Sequence, residues 1–121
     1  MAGRALIVAV IAAALLLSGA ALSASSAVPG NPAIGKALFL RAGVFCGSCH
    51  TLKAARSTGH DGPNLDAAKE SYAKILSAIT VGHAASKHWP TGMPRYGGVN
   101  GVLPGPLIRD VAAFVYASTH S

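Results

Sequence analysis

The sequence predicts an all-α fold, with about three main helices joined by long loops after a removable N-terminal segment. Three observations carry this. Three stretches repeat apolar residues at helical spacing. No segment alternates apolar and polar residues long enough to make a half-buried strand. Residues 82–106 hold six glycines and four prolines among 25 residues, too many for regular structure. The chain of 121 residues has room for one small domain and excludes a multi-domain enzyme. Its hydrophobic share of 51% is inflated by the start of the chain. Without residues 1–27 it falls to about 45%, ordinary for a globular domain.

The N-terminal segment comes first in order. Arg4 precedes Ala5–Leu17, an unbroken run of 13 apolar residues, and small residues follow up to Ser25-Ser26-Ala27. This is the order of regions in a secretory signal peptide, with cleavage expected after Ala27. Ala21-Leu22-Ser23 is a second candidate site. The looser stretch Ala5–Leu22 has 18 residues, enough by length to remain as a membrane anchor instead. The expected organisation is therefore 1–27 signal peptide or uncleaved anchor, and 28–121 exported domain. No cysteine follows the apolar run to carry a lipid.

Asn31-Pro32 reads as an N-cap followed by a proline in the first turn, opening a helix over about 32–42. Ile34 and Leu38 share one face of it, Gly35 and Phe39 the next, and Gly43 supplies a stop. Ser71 caps a second helix with Tyr72, Ile75, Leu76 and Ile79 on one face, ended by Gly82. After Pro106, a last helical face reads Leu107, Val111, Phe114, Val115 and Ser118. So long a structureless loop before that helix is out of place in a small domain, unless it wraps something that is not protein.

The chemistry sits in Cys46-Gly47-Ser48-Cys49-His50. C-x-x-C-H is the attachment pattern of c-type haem. Thiols at i and i+3 lie on one side of a helical turn and can both reach the vinyl groups of one porphyrin. The next residue then offers its imidazole to the iron. Both cysteines of the chain lie in this motif. Three rival readings are weaker. A disulfide between them would close a tiny loop and stabilise little. A thioredoxin-like pair needs a strand–helix context. A zinc site recruiting His83 and His88 would span 33 residues from Cys49 to His83, far beyond finger spacing.

With these residues in view, the sequence resembles the monohaem class I c-type cytochromes over nearly all of residues 31–119. Gly35-Lys36-Ala37-Leu38-Phe39 resembles the family's first helix, followed at once by Cys46–His50. Gly62-Pro63-Asn64-Leu65 resembles the segment whose proline carbonyl supports the proximal histidine. Met93-Pro94-Arg95-Tyr96-Gly97-Gly98 resembles the methionine-ligand loop, and Arg109–Val115 the last helix, which crosses the first. The resemblance implies the cytochrome c fold enclosing one covalent haem c. It implies thioether attachment at Cys46 and Cys49, and His50 and Met93 as axial ligands of the iron. Pro63, Trp89 and Tyr96 would belong to the haem pocket, with one of the two aromatic polar tips available to a propionate. Two departures stand out. Leu103-Pro104-Gly105-Pro106 replaces the usual capped, acidic start of the last helix, and His83, Lys87, His88 and Trp89 resemble additions peculiar to this branch of the family.

Met93 is the only methionine after export, 43 residues beyond His50 in a Gly/Pro-rich loop. His83 or His88 would replace it only if that loop folds differently. His60 is expected in a surface turn and His120 in solvent. Histidine–methionine ligation fills both axial positions and raises the reduction potential. The expected function is that of an exported one-electron carrier between respiratory or periplasmic redox partners, not an enzyme. The alternative is a cytochrome c subunit of a dehydrogenase or a sulfur-oxidising complex. The expected compartment is the periplasm or its equivalent, or the outer face of a membrane if the anchor stays. Residues 28–121 carry nine Lys/Arg and four Asp/Glu, a net charge of +5. Two ionised propionates would leave about +3, and Lys53, Arg56, Lys87 and Arg95 could face an acidic partner. Nucleic-acid binding is poorly motivated for an exported chain without a basic cluster.

Overall fold

The computed structural model describes residues 27–121; the segment 1–26, with the expected signal peptide, lies outside the described residues. Five helices follow one another: α1 (Pro32–Phe39), α2 (Cys46–Cys49), α3 (Leu65–Ala68), α4 (Tyr72–Val81) and α5 (Gly105–Thr119). Between α2 and α3, β1 (Thr51–Leu52) and β2 (Ser57–Thr58) form a two-stranded antiparallel hairpin around a 3-10 turn at Lys53–Ala55. Its register pairs Thr51 with Thr58 and Leu52 with Ser57. The three main helices are those the apolar spacing predicts. The one-turn helix α3 and the hairpin are too short to leave a periodic signal.

The frame is α5 packed against α1 on one side and α4 on the other. The α1–α5 crossing is close because Gly35 presents no side chain to it. A Cβ there would run into the Asp110 carbonyl and lie 2.8 Å from the Phe114 Cβ. Phe39 and Phe114 meet edge to face at 5.7 Å across the same crossing. Asn31 ties the two helices together. Its side chain caps α1 by accepting from the N–H groups of Ala33 and Ile34, and its own N–H donates to the Asp110 carboxylate at 2.7 Å. Tyr72 secures the other side, with its hydroxyl on the Pro29 carbonyl and its ring edge-on to Tyr116.

Three local expectations need correction. The first helix ends at Phe39, not near residue 42, because the chain tightens into turns from Arg41 N–H to Leu38 and from Val44 N–H to Arg41. Ile34 is left exposed while Gly35, Leu38 and Phe39 face α5. On α5 Val111, Phe114 and Val115 are buried as expected, but the stripe ends in Ile108 and Thr119, and Leu107 and Ser118 are only half-buried. A helix sandwiched between two others has two inner faces, so a single stripe read from sequence marks its direction imprecisely. Thr119 is tolerated inside because its hydroxyl donates to the Val115 carbonyl at 3.0 Å.

Candidate functional site

The turn α2 carries the C-x-x-C motif. Phe45, in left-handed backbone at φ 62°, starts it, and its carbonyl accepts from both the N–H and the hydroxyl of Ser48. The His50 N–H closes the turn on the Cys46 carbonyl at 3.0 Å. Cys46 and Cys49 thus stand at i and i+3 with free thiols. Burial pushes the Cys46 thiol up to about 11, so at neutral pH it is a protonated thiol. A redox-active cysteine needs an accessible thiolate, which burial disfavours at Cys46.

His50 is oriented by a loop that folds back over it. Its Nδ1 lies 2.8 Å from the Pro63 carbonyl oxygen. A carbonyl only accepts, so Nδ1 carries the proton and Nε2 presents a lone pair. The loop is held in place by Gly62 N–H on the Cys49 carbonyl at 2.8 Å and by the Thr51 hydroxyl on the Gly59 carbonyl at 2.8 Å. Gly62 lies flat against the imidazole, and a Cβ there would sit 2.7 Å from the ring's Cε1.

Met93 belongs to a second assembly, between α4 and α5. The backbones of His83 and Met93 pair as an antiparallel bridge, with N–H to carbonyl distances of 2.9 and 2.8 Å. Gly82 makes this possible at φ +69°, where a Cβ would strike the Met93 carbonyl and lie 2.8 Å from the Arg95 nitrogen. The Met93 side chain is half-buried against the hydrophobic core. Trp89 is half-buried too, edge-on to His88 at 4.5 Å, in a turn closed by the Ser86 hydroxyl on its N–H. His83 and His88 are exposed, and among the described residues no three His, Cys, Asp or Glu side chains gather into a metal-holding group. His60 and His120 are exposed as well, His120 stacked on Tyr116.

Tyr96 joins the two assemblies. It is buried, its backbone N–H donates to Ile79, and its hydroxyl donates to the Val44 carbonyl, two residues before Cys46. The Tyr96 hydroxyl proton is thereby engaged by the protein itself. Sequence reading missed this tie, which spans 52 residues. It also read Gly82 only as a helix stop. No local pattern announces either contact.

No family model and no curated protein matches the chain. Among solved structures it is similar to the c-type cytochrome SorU from Sinorhizobium meliloti. The likeness has 31% sequence identity and a TM-score of 0.58, and it covers 73% of this chain and 90% of that one. Such identity over nearly the whole of a solved cytochrome, on a chain with Cys46 and Cys49 in C-x-x-C spacing, identifies haem c as the implied cofactor. This chain belongs to the c-type cytochromes.

Proposed function

We propose that this chain is an exported monohaem carrier of the class I kind, passing single electrons between redox proteins. The observation that carries the reading is the imidazole of His50, whose Nδ1 is engaged by the Pro63 carbonyl at 2.8 Å. Hydrogen bonding at Nδ1 leaves Nε2 as the ligating atom and fixes the plane of the ring.

The residues fit one haem c. Cys46 and Cys49 are free and correctly spaced for two thioethers. His50 and Met93 form an imidazole–thioether donor set suited to iron. Haem bound in this way supplies reversible one-electron chemistry at its iron. The protein holds the group by Cys46 and Cys49, orients one ligand through Pro63 and Gly62, and places the other through Gly82 and His83. With His50 and Met93 both holding the iron, the bound haem would supply electron transfer and not oxygen or peroxide chemistry. Residues 28–121 are the mature domain in this reading, released into the periplasm or an equivalent compartment, and its partners are redox proteins with acidic docking surfaces.

The test combines mass and potentiometry on protein purified from its host. The intact mass should equal residues 28–121 plus one haem, and a redox titration should give a single one-electron wave. A haem lost on denaturation, or a titration without a one-electron wave, overturns the proposal.

A further inference from the structure

We propose that the groove between the end of α1, α2 and the β1–β2 hairpin docks the partner. That partner is a redox protein presenting an apolar side chain flanked by carboxylates. The proposal rests on the carrier reading for what the partner is, but its evidence is separate.

The groove holds about 320 Å³ and is lined by Phe39, Arg41, Phe45, Gly47, Ser48 and Arg56, among others. Its rim exposes two large apolar side chains, Phe45 at 63% and Leu40 at 56%. Phe45 is also in left-handed backbone at φ 62°, and so is Arg56 at φ 53°. These are two of the three non-glycine residues with positive φ among the described residues. Left-handed backbone is unfavourable for any residue with a Cβ, more so for a bulky one. For Phe45 little burial offsets it, since the side chain is exposed. Strain that holds an aromatic side chain in solvent points to a surface role.

Charge selects the partner. Arg41 and Arg56 flank the apolar rim, and no carboxylate lines the groove. Three of the chain's four carboxylates are engaged elsewhere: Asp66 by the Lys53 N–H, Glu70 by Lys74, and Asp110 by the Asn31 N–H. Lys74–Glu70 is the one ion pair among the described residues, so both groove arginines keep their charge for a partner. The competing surface, around Met93, also exposes Val81, Val99 and Val102, but its aromatic Trp89 is half-buried in its own turn, and the Arg95 guanidinium folds back beside Gly98.

Position relative to the site gives the groove its use. Gly47 and Ser48 line it, whereas Cys46, Cys49 and His50 do not. Residues at i+1 and i+2 face away from the i, i+3 pair on a helical turn. A partner seated there would therefore rest against the back of the turn that holds the cofactor, leaving the cysteine face clear.

The test is a nuclear magnetic resonance titration of the mature, reduced, isotope-labelled protein. The probe is a synthetic hexapeptide, Asp-Glu-Phe-Leu-Glu-Asp, with its Asn/Gln counterpart as control. Shifts should concentrate at residues 40–48 and 55–57. Affinity should fall about tenfold or more for the neutral peptide and for Arg41→Glu with Arg56→Glu. Phe45→Gly separates docking from folding: it relieves the left-handed strain, so the melting temperature should hold or rise while binding is lost. Shifts centred on residues 83–96, equal binding of the neutral peptide, or no shifts with the wild type would overturn the groove. The absorption spectrum of the same sample reports separately whether the protein is a haem carrier.

Discussion

On the His50 side, the ligand is fixed by contacts close in sequence. Cys46 and Cys49 lie within four residues of it, and Pro63 and Gly62 reach it from a loop braced on Cys49 and on Thr51. On the Met93 side, the ligand's backbone pairs with His83, its chain turns at Gly82, and its side chain makes no hydrogen bond. The first side is constrained by a hydrogen bond to the side chain itself, the second by a backbone bridge and by apolar packing of the side chain against the core. The difference assigns separate roles. In the proposed carrier, the His50 side would retain and orient the haem, and the Met93 side would supply the second ligand.

The comparison breaks most severely at Gly62. In Gly62→Ala, the new methyl would lie 2.7 Å from the His50 Cε1, so ring or loop must move. We expect a loss of about 3 kcal/mol in thermal unfolding of the mature protein, together with loss of the low-spin spectrum. Retention of both would show that the proximal loop is adaptable and the contrast false.

Next come two changes on the other side. Met93→Ala should leave the haem attached and cost about 2 kcal/mol, while opening the iron to carbon monoxide and lowering the reduction potential. Gly82→Ala keeps the sulfur but disfavours φ +69° and pushes on the Met93 carbonyl. It should cost about 1–3 kcal/mol and admit carbon monoxide as well. Spectral titration with the gas checks both. If Gly82→Ala stays closed, the methionine is held by more than its backbone.

The smallest effect sharpens the link between the sides. Burial raises the Tyr96 hydroxyl to about 12. The folded state therefore keeps a proton that the unfolded state releases near pH 10. The stability it contributes is complete below pH 10 and declines as pH rises from 10 towards 12. Tyr96→Phe should cost about 1–3 kcal/mol at neutral pH by leaving the Val44 carbonyl without its donor, and should remove that alkaline decline. Denaturant unfolding at pH 7, 10 and 12 reads both. An unchanged alkaline decline would assign it to other groups.

These contacts also show what the sequence made legible. The main helices could be read because the caps at Asn31 and Ser71 and the stop at Gly82 act locally: the Asn31 and Ser71 side chains accept from N–H groups of their own first turns, and the Gly82 N–H closes on the Ala78 carbonyl. The C-x-x-C-H motif is local for the same reason. The long loop before α5 was legible from its glycines and prolines, but its internal order was not. The His83–Met93 bridge depends on backbone pairing, which has no residue code. The Tyr96–Val44 tie depends on packing across 52 residues. On α5 the centre of the stripe, Val111, Phe114 and Val115, was legible, but not its ends or its width, because α1 and α4 both press on that helix and spacing along one helix does not report its neighbours.

The central claim is that protein side chains fill both axial positions, so that the haem carries electrons and leaves no place for a substrate. Absorption spectroscopy of the reduced wild-type protein, before and after carbon monoxide, tests it most directly. The account predicts a low-spin spectrum that carbon monoxide leaves unchanged at neutral pH. A prompt spectral shift on adding the gas would contradict it, because it would show an axial position that Met93 does not hold.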